Sequence, residues 1–230
     1  MQYRSEIDGL RAFAVISVIL FHAGFTTFNG GFIGVDVFFV ISGYLISTII
    51  IEEIEAGSFD FWSFYERRAR RILPALFLVI LCIFPIAYVW MLPEELKAFS
   101  LSAVSATLFF SNIFFWSQSG YFDTASELKP LLHTWSLGVE EQFYIIFPIF
   151  MISIWKKNRS QLIWRIAIIL IISLTLSEFS SYKFPSANFY LLPMRAWELL
   201  SGTLCSFVEW RSQESNATGL IWAPHDTEAV

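Results

Sequence analysis

Four stretches without a single Asp, Glu, Lys or Arg dominate this chain. Arg11 to Asp36, Asp36 to Glu52, Arg71 to Glu94 and Lys97 to Asp123 each enclose an apolar run. An ionised side chain near the centre of a bilayer costs about 2.5 kcal/mol or more, so such gaps mark where a chain can cross a membrane. They predict spans near 12–28, 33–51, 72–92 and 99–116, each close to the ~20 residues a span needs. Segments near 137–155, 162–178 and 196–210 are shorter or carry Glu at one end, and they insert against neighbours. The expected fold is an all-α integral membrane protein, a polytopic bundle of about seven transmembrane helices. Composition agrees, with 56% hydrophobic, 18% aromatic and 15% charged residues, against about 25% charged in soluble domains. A single water-facing core cannot hide 25 Phe and 9 Trp. The same figures exclude disorder, a collagen-like fibre and a disulfide scaffold, and a net charge of -5 is a poor match to a nucleic-acid binder.

Orientation follows from the basic residues. Arg4 and Arg11 precede the first span, the loop Phe25 to Ile33 has no Lys or Arg, and the next connection holds Arg67, Arg68, Arg70 and Arg71. The positive-inside rule therefore places the N-terminus and the Arg cluster in the cytoplasm of a multi-pass protein. The first span has no cleavage signal after it and reads as an uncleaved anchor. A full crossing by 99–116 would put Lys156, Lys157, Arg159 and Arg165 outside, so a re-entrant element between 93 and 135 is one solution. Residues 1–210 form the membrane domain, and 211–230 form a polar, solvated tail. Cys82 and Cys205 lie in apolar segments and are expected to pack as small hydrophobes.

Inside lipid, an ionisable side chain is a candidate for function. Arg11 and His22 are eleven residues apart, about 1100 degrees of helix and a rise of about 16 Å, so they share a face. A neutral imidazole at that depth can accept a proton from a hydroxyl. Asp36, just after a Gly-rich turn, is placed to pair with His22 and orient it, or to serve as an interfacial turn residue. The guanidinia of Arg67, Arg68, Arg70 and Arg71 can dock a phosphorylated donor, and equally can be topogenic or bind anionic lipid. Leu131 to Tyr144 gathers His133, Trp135, Ser136, Glu140, Glu141 and Tyr144 at one membrane boundary, with Glu140 and Tyr144 on one helix face. Glu198 begins the last span as a pocket residue or a helix-start acid. There is no G-x-S-x-G, P-loop, H-E-x-x-H or C-x-x-C motif, so hydrolase, ATPase, zinc-protease and thiol-redox chemistry lack support, and no metal site is expected. His225-Asp226 is isolated, and the sequons at Asn158 and Asn216 are weak signals.

Five landmarks in order resemble the acyltransferase-3 family of bacterial membrane O-acyltransferases, over residues 3 to 210. They are Tyr3 to Ala12 with the Arg-x10-His spacing ending at His22, Gly34 to Gly43, Arg67 to Arg71, His133 to Tyr144, and Phe189 to Glu198. The resemblance implies an acyltransferase of groups other than aminoacyl, in the bacterial inner membrane. It would move acetyl from acetyl-CoA, a donor substrate rather than a resident cofactor, to hydroxyls of lipopolysaccharide O-antigen, peptidoglycan or other envelope glycans. By the same analogy His22 is the base or acyl relay, Arg11 supports it, and Arg67, Arg68, Arg70 and Arg71 hold the donor. Asp36, Glu140 and Glu141 assist catalysis, and His133, Trp135, Ser136, Tyr144 and Glu198 line the acceptor pocket. The family unit has about ten spans of about 20 residues, so the chain reads as a C-terminally truncated part of it. A proton or acyl transporter subunit and an inactive remnant are the alternatives.

Overall fold

The computed structural model describes residues 4–119, 129–155 and 159–221, with backbone alone at 159–160 and 213–221. Lys156, Lys157, the Asn158 sequon, Asp123 and His225-Asp226 lie outside the described residues. Among the described residues there is no strand. The described residues form nine α-helices: α1 (Ser5–His22), α2 (Ile33–Glu55), α3 (Phe61–Trp90), α4 (Pro93–Thr107), α5 (Ser111–Gln118), α6 (Thr134–Trp155), α7 (Arg159–Lys183), α8 (Pro185–Tyr190) and α9 (Leu192–Ile221). Four of them, α2, α3, α6 and the Gln161–Lys183 part of α7, are long and apolar enough to cross a membrane. The seven spans expected are not all matched in that sense.

The boundaries differ from the charge gaps for local reasons. α1 ends at His22 because Gly24 takes a left-handed φ of 78°. There the Phe25 amide reaches the Leu20 carbonyl at 3.1 Å and the Gly24 amide the Phe21 carbonyl at 3.0 Å, a Schellman closure that leaves no room for further helix. α3 starts at Phe61, well before residue 72. Asp60 caps it by accepting from the Ser63 amide at 2.8 Å, a bond that holds the Asp60 carboxyl below its usual range. The arginine cluster is therefore the first turns of α3, since Arg is a good helix former.

The span expected over 99–116 is two helices, α4 and α5. Phe109 adopts a φ of 59° and its neighbours close a Schellman turn, Phe110 amide to Ser105 carbonyl at 2.8 Å. A left-handed Phe is costly without support. That support is Gln142 of α6, whose amide donates to the Phe109 carbonyl at 3.1 Å and to Asn112 at 2.8 Å. Asn112 in turn donates to the Tyr190 carbonyl at 3.1 Å, and Ser111 to the Thr134 carbonyl at 2.7 Å.

α2 is the axis of the bundle and packs along α9 and α1. Glycine makes both approaches possible. A Cβ on Gly43 would meet the Leu199 backbone, one on Gly202 the Val40 backbone, and one on Gly34 the Ala14 carbonyl. Small residues at such crossings let helix backbones touch, the usual device where apolar burial cannot drive association. Ser47 and Thr203 add a buried hydrogen bond of 2.9 Å across the same seam. Around it lie Phe39, Ile46, Ile50, Val139, Phe143, Met151, Leu199 and Phe207. α1, α3 and α7 turn Phe13, Ile16, Leu78, Leu81, Val89, Ile168 and Ile171 outward, the surface that lipid covers. Cys82 and Cys205 are exposed on α3 and α9, and so are not packed inside as expected. After Arg211 the chain continues as helix to Ile221.

Candidate functional site

The i,i+3 spacing of α3 sorts its arginines. Arg67 and Arg70 point away, Arg67 to Glu53 at 2.5 Å and Arg70 to Glu66 at 2.7 Å. Arg68 and Arg71 turn inward and, with Arg4, Asp8 and Arg11 of the N-terminal segment, line a cleft of about 410 Å³. Deeper in, the same cleft is lined by Ser42, Ile46, Glu140 and Tyr144.

Each cleft arginine has a different environment. Arg4 pairs with Glu209 and donates to the Tyr44 hydroxyl at 2.6 Å, tying the start of α1 to α2 and α9. Arg11 lies 3.9 Å from Asp8. Arg68 sends Nε and Nη2 to one oxygen of Glu141 at 3.2 and 2.7 Å and lies 3.9 Å over the Tyr144 ring. Arg71 has no carboxylate partner among the described residues and borders the cleft as a spare guanidinium. Four guanidinia line this basic cleft with Asp8 and Glu140, and Glu209 and Glu141, paired with Arg4 and Arg68, offset two of them. At its floor the Tyr144 hydroxyl donates to Glu140 at 3.3 Å, the i,i+4 pair expected from the sequence.

Asp36 does not pair with His22. It meets Arg195 of α9 at 3.2 Å, and Arg195 also binds Glu198 at 2.6 Å. The Arg195 guanidinium lies 5.5 Å from the Trp135 ring centre, 5.7 Å from Phe39 and 5.8 Å from Phe189. His22 is exposed at the end of α1, with Nδ1 2.8 Å from the Val18 carbonyl. A carbonyl only accepts, so the neutral ring carries its proton on Nδ1 and presents Nε2 as a base. A backbone oxygen thus does the orienting that the sequence assigned to Asp36.

The remaining candidates separate. Trp135 is buried against Phe189 at 4.4 Å and belongs with the Arg195 group, as does Glu198. Ser136 donates to the carbonyl of exposed His133 at 3.3 Å. Tyr144 belongs to the basic cleft instead. Arg195, Phe189, Phe39, Ser42, Tyr44 and Arg4 were not singled out from the sequence as site residues. The signal available for Arg195 was an arginine three residues before a glutamate at the mouth of an apolar span.

The acyltransferase domain family matches residues 4–224. Peptidoglycan O-acetyltransferase OatA of Listeria monocytogenes is 38% identical over 216 residues, 90% of this chain and 34% of that protein. O-acetyltransferase OatA of Staphylococcus aureus is 39% identical over 149 residues, 64% of this chain and 24% of that protein. The chain thus spans about a third or less of the length of these relatives. No solved structure matches it. With the landmarks in order, the helical bundle and a match over almost the whole chain, this polypeptide belongs to the acyltransferase-3 family.

Proposed function

We propose that this chain is the acyl-transfer part of an inner-membrane O-acetyltransferase, which carries acetyl from acetyl-CoA to hydroxyls of an envelope glycan. The basic cleft is the observation that carries this reading. Its mouth offers guanidinia for the donor phosphates, and its floor, at Ser42, Glu140 and Tyr144, lies within the apolar bundle. The N-terminus and the arginine end face the cytoplasm, where the donor is found. Peptidoglycan is the favoured acceptor, because the Listeria relative is named for that activity. Lipopolysaccharide O-antigen is a further acceptor of the same chemistry.

In the proposed step, a sugar hydroxyl loses its proton to Nε2 of His22 while its oxygen bonds to the acetyl carbon. The carbon–sulfur bond breaks, and the departing thiolate recovers the proton. Arg68 and Arg71 hold the donor, with Glu141 fixing the Arg68 fork against Tyr144. The test is transfer of labelled acetyl from acetyl-CoA to isolated peptidoglycan strands by vesicles holding the whole protein. Transfer that is lost in His22→Ala is the expected result, and an inert wild-type protein would overturn the reading.

A further inference from the structure

The stretch between α3 and α6 begins and ends on one side of the bundle. Arg68 of α3 binds Glu141 of α6, and Tyr65, three residues earlier, donates to the carbonyl of Ile145, four residues later, at 3.2 Å. α3 and α6 therefore run antiparallel, and Trp90 and Thr134 both lie at the end opposite the arginine cluster. Between them, α4 has 15 residues and α5 has eight, about 22 and 12 Å of helix against a bilayer core of about 30 Å. The outer ends of the two meet, since Glu94 and Ala98 of α4 share a cavity of about 150 Å³ with Gln118 of α5 and with Pro130. The inner ends meet at the left-handed Phe109, whose carbonyl is bound by Gln142, eight residues and so about 12 Å inside α6.

These two helices are also the link between α3 and the rest of the bundle. Among the described residues, α4 is the helix whose backbone packs against that of α3, with Phe84 on Phe99. α5 in turn docks on α6 at Gly138, where a Cβ would meet the Asn112 side chain. Asn112, 0% exposed, and Gln142 exchange two amide hydrogen bonds, of 2.8 and 3.3 Å. We infer that α4 and α5 are a re-entrant hairpin, entering and leaving on the side opposite the arginines, and that its tip sets the position of α3, with Asn112 and Gln142 as positioning residues. Irregular backbone at membrane depth persists where protein polar groups satisfy it, as Gln142 does for Phe109. Arg68 and Arg71 ride on α3, so the tip fixes the width of the basic cleft. The effect on activity rests on the acetyl-transfer reading above, since a shift of about 1 Å in a group that positions a substrate is enough to lower the rate.

Sidedness is read with membrane-impermeant maleimide on the whole protein lacking Cys82 and Cys205. Glu94→Cys and Gln118→Cys should be labelled from one side and Arg70→Cys from the other. Labelling of Glu94→Cys and Gln118→Cys from opposite sides means that the pair crosses the membrane, and it overturns the hairpin. The position of α3 is read without activity, as the distance between spin labels at Arg70→Cys and Gln161→Cys. Asn112→Ala should broaden that distance distribution, and an unchanged one overturns the positioning role. In vesicles holding the whole protein, Asn112→Ala should raise the KM for acetyl-CoA about tenfold at nearly constant kcat. Ser47→Ala, which removes a buried hydrogen bond from the α2–α9 seam, should leave that KM unchanged. An unaltered donor KM in Asn112→Ala, or an equal rise in Ser47→Ala, also overturns the positioning role. A wild-type protein that transfers no acetyl sinks the acetyl-transfer reading instead, and the maleimide and spin labels then decide the hairpin by themselves. Should Asn112→Ala fail to fold, Phe84→Ala loosens the same link from a position that is 46% exposed, and the same outcomes apply to it.

Discussion

Arg68 and Arg71 differ by one carboxylate, and that difference predicts two kinds of failure. Arg71 has no carboxylate partner among the described residues, so Arg71→Ala should spare folding and weaken the proposed donor binding by about 1.5–3 kcal/mol, the worth of a hydrogen bond to a charged group. That is a rise in acetyl-CoA KM of about ten- to a hundredfold at nearly constant kcat. Glu141→Ala leaves the largely buried Arg68 charge uncompensated and should cost about 3 kcal/mol or more in detergent unfolding. The double variant Arg68→Met, Glu141→Leu should recover much of that stability while remaining inactive. Several site contacts were legible in the sequence at this scale, because an i,i+4 pair such as Glu140 and Tyr144 needs only the helix period. Asp36 and Arg195 are 159 residues apart, and no local rule joins them. A local reading joins Asp36 to His22 across the Gly-rich turn, whereas the imidazole is satisfied by its own helix.

Helices are easier to locate than to delimit. The scarcity of charge reveals where lipid is, and α2, α6 and α7 follow from it almost unchanged. It says nothing about a break between two apolar segments, and the turn after α4 uses Phe109 where a glycine would have announced it. Gln142 is the residue that makes this turn affordable. Gln142→Leu should cost about 1–3 kcal/mol, since it strands the Phe109 carbonyl and Asn112, and the loss is read as a lower melting temperature. The α2–α9 seam has a different weakness. Gly43→Ala pushes a methyl into the Leu199 backbone and should destabilise the protein by about 1–3 kcal/mol, whereas a change on the outward face, such as Leu81→Ala, should be mild. Asp60 adds a pH-dependent part. Its folded carboxyl is held low by the Ser63 amide. The cap therefore stabilises fully above the ordinary carboxylate range and is lost as pH falls through the folded value. The melting difference between wild type and Asp60→Ala should shrink in acid accordingly.

Among the described residues the whole molecule is an apolar bundle with two separate polar groups, one around Arg4, Arg11, Arg68 and Arg71 and the other around Asp36, Arg195 and Glu198. Membrane-impermeant maleimide checks its sidedness on a background without Cys82 and Cys205. A cysteine replacing Arg70 should be labelled only from the cytoplasmic side, and one replacing Phe28 only from outside. The seam that lets α2 and α9 touch through Gly43 and Gly202 also bears on the host membrane's thickness. Two helices locked backbone to backbone cannot change tilt separately. α2, with 23 residues, is about 35 Å long and matches a bilayer core of about 30 Å closely. α3, with 30 residues, is about 45 Å long, is exposed along much of its length and contains Pro74 and Pro85, where a helix can bend. A thinner or thicker bilayer is therefore accommodated by α3 leaning and flexing while the α2–α9 pair stays upright. Because Arg68 and Arg71 ride on α3 and Asp36 on α2, a change in lipid chain length should alter the width of the basic cleft and leave the opposite end alone.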